Sequence, residues 1–188
     1  MSSQNVFYAI MSSDRTVFTL QSLMMLTGNF DTLSLTQSLS YYQKKGLIRR
    51  LRRGVYSKLE YDVNELACAV FFPSYISLQY VLLKAGVIFQ YSDAVTCVSS
   101  LNRDIMVDGR TFSFRRIKPD LWADMDGIVQ KEGYLIATPE RALVDMMYLY
   151  PGIEYFDNMD SLDKGKVSAL SLSYGNKSLS ERIARIYG

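Results

Sequence analysis

The sequence contains no histidine. That absence excludes Ser-His-Asp and Cys-His nucleophiles and every imidazole metal ligand. Cysteine is almost as scarce, with only Cys68 and Cys97. Two thiols cannot build a four-cysteine zinc site, and their separation fits no CxxC motif. Their neighbours are small or apolar (Ala67 and Ala69, Thr96 and Val98), so both read as buried thiols in a reducing cytoplasm. Long apolar runs are also missing. The longest, residues 66–72, stops at Pro73, far short of the roughly 20 residues that cross a bilayer. The opening MSSQNVFYAIMSSDR has neither the basic start nor the apolar centre of a signal peptide. A cytoplasmic chain with no membrane partner is expected. Internal repeats and low-complexity stretches are absent as well.

What is present is a moderate charge, unevenly placed. The net charge of +2 over 188 residues gives no reason to expect a polyanion partner. Residues 1–60, however, carry eight Lys/Arg against three Asp/Glu, while the remainder carries thirteen against sixteen. A basic first third on a mildly acidic remainder points to nucleic acid. The surplus is concentrated further: Lys44, Lys45, Arg49, Arg50, Arg52, Arg53 and Lys58 fall within fifteen residues that include no acid.

Apolar spacing gives these cations a setting. Residues 4–11 have Val6, Phe7, Ile10 and Met11 at helical intervals, and residues 14–17 read as a turn. Thr19 caps a second helix that carries Leu20, Leu23, Met24 and Leu26 and stops at Gly28-Asn29. A third helix is predicted to start near Ser34, where Ser34 and Gln37 have capping-box spacing, with Leu35, Leu39 and Tyr42 facing inward and Gly46 as its end. Residues 47–51 and 54–59 then read as two short strands around Arg52-Arg53. Three helices followed by a basic hairpin is the order of a winged helix-turn-helix. The fold class expected is therefore α+β, with a winged helix-turn-helix DNA-binding domain on residues 1–60 and a mixed α/β domain on residues 61–188, helical from about residue 152.

In that setting Lys44, Lys45, Arg49, Arg50, Arg52, Arg53 and Lys58 would displace counterions from DNA phosphates, which gives affinity without sequence preference. Sequence would be read by the outward side chains of the third helix, Thr36, Gln37, Ser40, Tyr41 and Gln43, entering the major groove. Gln37 is claimed both as a cap and as a base reader. Arg52 and Arg53 at the hairpin tip suit a minor groove.

In the second part, residues 63–71 and 77–85 read as helices, the latter following Pro73, with Ser77 as its cap and Tyr75 packing beside it. Residues 94–100, 104–107 and 111–117 read as strands, with Asp108-Gly109 as a hairpin turn. Residues 127–137 add one or two strands. Thr138-Pro139-Glu140 opens a helix with three start signals in succession. Two helices are expected in the tail, the last capped by Ser178. Arg115, Arg116 and Lys118 form a smaller basic cluster at a strand and its exit, a possible secondary nucleic-acid surface on which Arg115 and Arg116 face opposite ways.

Catalytic signals do not assemble. Asp124-x-Asp126-Gly127 is a turn without further ligands at calcium-loop spacing. Glu140 and Asp145 are a turn and a half apart on one helix and do not converge. Pro119-Asp120 lacks the acid-x-Lys triplet of a nuclease. No enzyme activity, metal or cofactor is expected. A nucleic-acid-processing enzyme is the least favoured reading.

Four stretches in order, GLIRRLRRGVY (46–56), PSYISLQYVLLKAGVI (73–88), TFSFRRIKPDLW (111–122) and IATPERALVDMMYLYP (136–151), resemble the AbiEi-type antitoxin family. The resemblance covers roughly residues 5–151 and extends more loosely into the tail. It implies the antitoxin of a bacterial type IV toxin–antitoxin system linked to abortive phage infection. Such a protein would be a transcriptional repressor of its own operon, bound to operator inverted repeats in double-stranded DNA through Arg49, Arg50, Arg52 and Arg53. A C-terminal domain would serve antitoxicity. The functional partner would be a nucleotidyltransferase-like toxin, countered without a stable complex. The rival expectation is a protein-interaction module that binds the toxin directly, with DNA binding incidental.

Overall fold

Short polar side chains start most of the helices. In the computed structural model, which describes residues 5–90, 92–153 and 155–187, Asn5 accepts from Phe7 N at 2.9 Å and opens α1, Val6–Ser12. β1, Val17–Thr19, follows. Thr19 then accepts from Ser22 N and opens α2, Leu20–Thr27, which Gly28 closes at φ 64°. The third helix, α3, spans Thr32–Lys44. β2, Arg49–Arg52, and β3, Val55–Ser57, form a hairpin, and α4, Val63–Val70, comes after it. The three strands pair antiparallel in the order β1-β3-β2.

Three expectations need correction here. α3 starts at Thr32 and not near Ser34, because Asp31 Oδ1 accepts from Leu33 N (3.0 Å) and Ser34 N (3.3 Å). A carboxylate at that end also meets the positive pole of the helix. The Ser34–Gln37 box is therefore not the cap, and Gln37 is released from it. Residues 14–17 do not form a simple turn, since Val17 begins β1, whose register sets Phe18 opposite Tyr56. Finally, the chain divides into compact units after Phe71 and not near Tyr61: one unit is Met1–Phe71 with Glu132–Tyr134, the other Phe72–Lys131 with Leu135–Gly188. α4 belongs to the first unit because its buried Glu65 ties it to β1: Thr16 N and Val17 N each donate to Glu65 Oε2 at 2.7 Å. The core of this unit joins Val6, Ile10, Phe18, Leu23, Leu35, Leu39, Ile48 and Tyr56.

The second unit is a six-stranded mixed sheet with helices. Its elements are β4 (Ser74–Ile76), α5 (Gln79–Lys84), β5 (Val95–Ser99), β6 (Arg103–Val107), β7 (Arg110–Arg116), α6 (Pro119–Ala123), β8 (Ile128–Lys131), β9 (Tyr134–Ala137), α7 (Pro139–Leu149), α8 (Lys164–Ser173) and α9 (Lys177–Tyr187). The strand order is β6-β7-β5-β4-β9-β8, with β5/β7 and β4/β9 parallel. Asp108 and Gly109, at φ 51° and 75°, make the tight β6–β7 turn that the pair signals. Thr138 caps α7 by accepting from Arg141 N, with Pro139 in the first turn. Mixed α+β architecture is thus the fold class.

Two caps differ from expectation. Residues 74–76 form strand β4, so Tyr75 and Ser77 do not start a helix; Ser77 Oγ instead donates to Asp145 Oδ2 at 2.7 Å. α9 is capped by Asn176, whose Oδ1 accepts from Leu179 N at 3.1 Å, and Ser178 lies inside the helix.

A buried polar cluster joins β4, α7 and α8. Arg141 and Asp145 are both fully buried, one helical turn apart on α7. Arg141 Nη2 donates to Leu121 O and Nη1 to Asp126 O, each at 2.8 Å, while Nε faces Asp145 Oδ1 at 3.4 Å. Asp145 also accepts from the hydroxyls of Ser77, Tyr75 and Tyr174. Burial pushes the Asp145 carboxyl upward, against the pull of the Arg141 guanidinium and these hydroxyls. Burial and the nearby Asp145 hold both tyrosines well above the usual phenol range. Asp124 and Asp126 form an Asx turn, Asp126 N donating to Asp124 Oδ1 at 3.0 Å. Among the described residues no group of three or more His, Cys, Asp or Glu is placed to hold a metal ion, and no helix is long and apolar enough to cross a membrane.

Candidate nucleic-acid interface

The outer face of α3 follows from its inner one. Leu35 and Leu39 are sealed in the core and Tyr42 is packed against it. At about 100° per residue, the opposite side collects Thr36, Ser40, Lys44, Gln37 and Tyr41, with Gln43 on its flank. Five of these, Thr36, Gln37, Ser40, Tyr41 and Lys44, line one shallow depression. Gln37, Ser40, Tyr41, Gln43 and Lys44 are exposed. Thr36 is half-buried, and its hydroxyl donates back to Thr32 O (2.7 Å) and Leu33 O (3.0 Å), leaving mainly its methyl for outside contact.

Tyr42 fixes the rotation of this helix. Its hydroxyl donates to Asn5 Oδ1 at 3.0 Å, and its ring stacks on Phe7 with 4.9 Å between centroids. The spacing of α3 identifies Tyr42 as inward-facing, but nothing local names Asn5 and Phe7 as its partners. Lys45, exposed at the helix end, sits over the Tyr41 ring at 5.8 Å.

The hairpin divides its cations into two groups. Arg50 and Arg53 are exposed. Arg49 is half-buried, its guanidinium 5.6 Å from the Tyr61 ring centroid. Arg52 is half-buried and donates from Nη1 to Val70 O at 3.3 Å. The register slips between Arg50 and Arg52, so Leu51 is the extra residue of a bulge that re-aims the strand. Gly54 turns the hairpin at φ 78°, and Leu20 N donates to Gly54 O at 3.0 Å, anchoring the turn to α2.

Lys58 stands apart. Its ammonium donates to Ser13 O at 2.6 Å and Met11 O at 3.4 Å, at the C-terminal end of α1. Two such bonds to carbonyls at a helix C-terminus are what a lysine placed there supplies. Its charge is already committed to the fold, which removes it from the set of outward cations. The side chains with both exposure and positive charge on this unit's basic segment are Lys44, Lys45, Arg50 and Arg53.

The smaller cluster on the second unit also separates. Arg115 is held between Asp104 Oδ1 (2.8 Å) and the Tyr150 hydroxyl (3.2 Å). The Arg115 bond holds the Asp104 carboxyl below its usual range, and the same bond raises Arg115. Arg116 and Lys118 are exposed. Set beside known protein families and curated proteins, the chain matches no family model and no curated relative.

Proposed function

We propose that the first unit is a winged helix-turn-helix that binds duplex DNA, with α3 in the major groove and the β2–β3 hairpin as the wing. The observation that carries this reading is an exposed polar face on α3 followed in the chain by exposed cations. The face presents Gln37, Ser40 and Tyr41, and the cations are Lys44, Lys45, Arg50 and Arg53. No acidic residue occurs between Asp31 and Glu60 to offset them. Exposed cations displace condensed counterions from phosphates, and an adjoining row of amide and hydroxyl groups has the chemistry to contact base edges. Gln37, no longer needed as a cap, is available for an adenine edge.

The biological role that suits this reading is a repressor of its own operon acting as the antitoxin of a type IV, abortive-infection toxin–antitoxin pair. It rests on the resemblance to AbiEi-type antitoxins and on the DNA-binding arrangement above. The test is a gel-shift series with the DNA upstream of the gene. The wild-type chain is expected to shift it, and Arg50→Glu with Arg53→Glu to lose the shift by at least tenfold in affinity with an unchanged melting temperature. Equal binding by the charge-reversed variant contradicts the reading.

A second reading has its own support. Tyr8, Met25, Phe30 and Leu33 leave more than half of their surface exposed on the first unit, and such side chains form a partner surface where they adjoin. A protein-interaction module that grips the toxin directly predicts co-purification of the two proteins from co-expressing cells.

A further inference from the structure

We propose that the second unit carries a site for unpaired bases of a single-stranded nucleic acid. The structure holds three adjoining clefts within this unit. The largest of them, about 700 Å³, is lined by Arg115, Tyr150, Phe89, Tyr155 and Phe156 among others. Tyr155 and Phe156 also line a second cleft, which Arg182 and Arg185 border. Arg115 and Tyr150 also line a third, which Arg116 borders. Sharing these residues makes the three a single furrow. Arginines border both flanking clefts, and aromatic residues line the cleft that links them.

Phe156 is buried, but the rings of Phe89 and Tyr155 are not there for packing. Phe89 is 67% exposed and Tyr155 is 79% exposed. The backbone that carries Phe89 is nevertheless held in place, because Phe89 N donates to Asp157 Oδ2 at 2.8 Å and Asp157 N donates to Val87 O at 3.0 Å. A ring presented to solvent from a fixed backbone is a stacking platform, and every base offers it a π-face.

The arginines have capacity to spare. Arg115 uses Nε and Nη1 on Tyr150, Asp104 and Phe114 O, while its Nη2 has no partner among the described residues. Arg182 is used differently: it donates to Met147 O (2.9 Å) and Pro151 O (3.0 Å) and contributes its charge at the border of the cleft. Arg116 and Arg185 are exposed. Cations spaced along a groove with aromatic residues between them suit a phosphate backbone whose bases are splayed onto the rings. A duplex keeps its bases stacked inside and has no use for the rings. Asp157 is the one acid among the described residues that line these clefts, and its carboxylate accepts from Phe89 N; Asp104 is paired with Arg115.

The test uses the full chain and fluorescein-labelled decamers of one mixed, non-self-pairing sequence, as RNA and as DNA, followed by anisotropy. At least one decamer is expected to bind, with log K falling with log salt at a slope of about −2 for three phosphate contacts on a single strand. Phe89→Ala with Tyr155→Ala is expected to weaken that binding at least tenfold, from the loss of roughly 1–3 kcal/mol per stacked base. Both rings are exposed, so the fold tolerates their loss. Arg50→Glu with Arg53→Glu is expected to leave decamer binding intact, which separates this site from the duplex reading. Tighter binding of the RNA decamer assigns the furrow to RNA, and the reverse to DNA. The proposal is overturned if neither decamer binds at up to about 0.1 mM protein, the weak end of non-specific binding, if the ring variant binds as well as wild type, or if the Arg50 and Arg53 reversal abolishes the binding.

Discussion

At the scale of single residues, the Arg141–Asp145 pair governs the second unit. Both groups are without solvent, and each depends on the other and on the surrounding hydroxyls and carbonyls. Removing one partner strands the other charge, at a cost of about 3–5 kcal/mol. Asp145→Asn is therefore expected to lower the urea midpoint sharply, while Asp163→Asn, on an exposed carboxylate, is expected to lower it by no more than the loss of a helix cap. The pair also sets an alkaline limit. Tyr75 and Tyr174 keep their protons in the folded state far above the phenol value, whereas in the unfolded chain they ionise near pH 10. The unfolded state then releases protons first, so this contribution is complete below about pH 10 and declines as pH rises above it. Urea melts at pH 8 and pH 10.5 should show that decline in the wild type and a smaller one in Tyr75→Phe with Tyr174→Phe. The sequence carried a sign of this cluster. Arg141 and Asp145 sit among Ala142, Leu143, Val144, Met146 and Met147, a helix apolar on nearly every side, and such a helix is buried. Their i, i+4 spacing reads equally well as a surface ion pair, and their partners Tyr75, Ser77 and Tyr174 lie too far along the chain for any local pattern to name.

At the scale of elements, what can be read locally was readable, and what depends on pairing was not. The starts of α2 and α7, the stop at Gly28 and the Asp108-Gly109 turn follow from single side chains with short-range bonds. The three-residue strands β1 and β4 have no period to display; β1 exists because β3 pairs with it, and β4 because β5 and β9 flank it. At the start of α3 two capping signals compete, and a carboxylate that serves Leu33 N and Ser34 N prevails over a serine inside the first turn. Asp31→Ala is expected to cost about 1 kcal/mol by denaturant titration, and Ser34→Ala much less. Lys58 was grouped with the phosphate ligands by proximity in sequence. Since its ammonium holds Met11 O and Ser13 O, Lys58→Ala is expected to lower the melting temperature while leaving DNA affinity within about twofold. The reverse pattern, stability retained and affinity lost, would show the ammonium to be a phosphate ligand after all.

At the scale of the whole molecule, a net charge near zero conceals a division of labour. The positive surplus belongs to the first unit, and within it folding has already used Lys58 and partly used Arg52. On the function proposed above, the exposed Lys44, Lys45, Arg50 and Arg53 meet the phosphates of duplex DNA beside the outer face of α3. The measurement that tests this most directly is the affinity for a duplex carrying the upstream DNA across a salt series from 50 to 200 mM. Four contacts predict a slope of log K against log salt of about −3.5, reduced to about −2 in magnitude when Arg50 and Arg53 are replaced by alanine. A slope near zero, or one that the two substitutions leave unchanged, would contradict it.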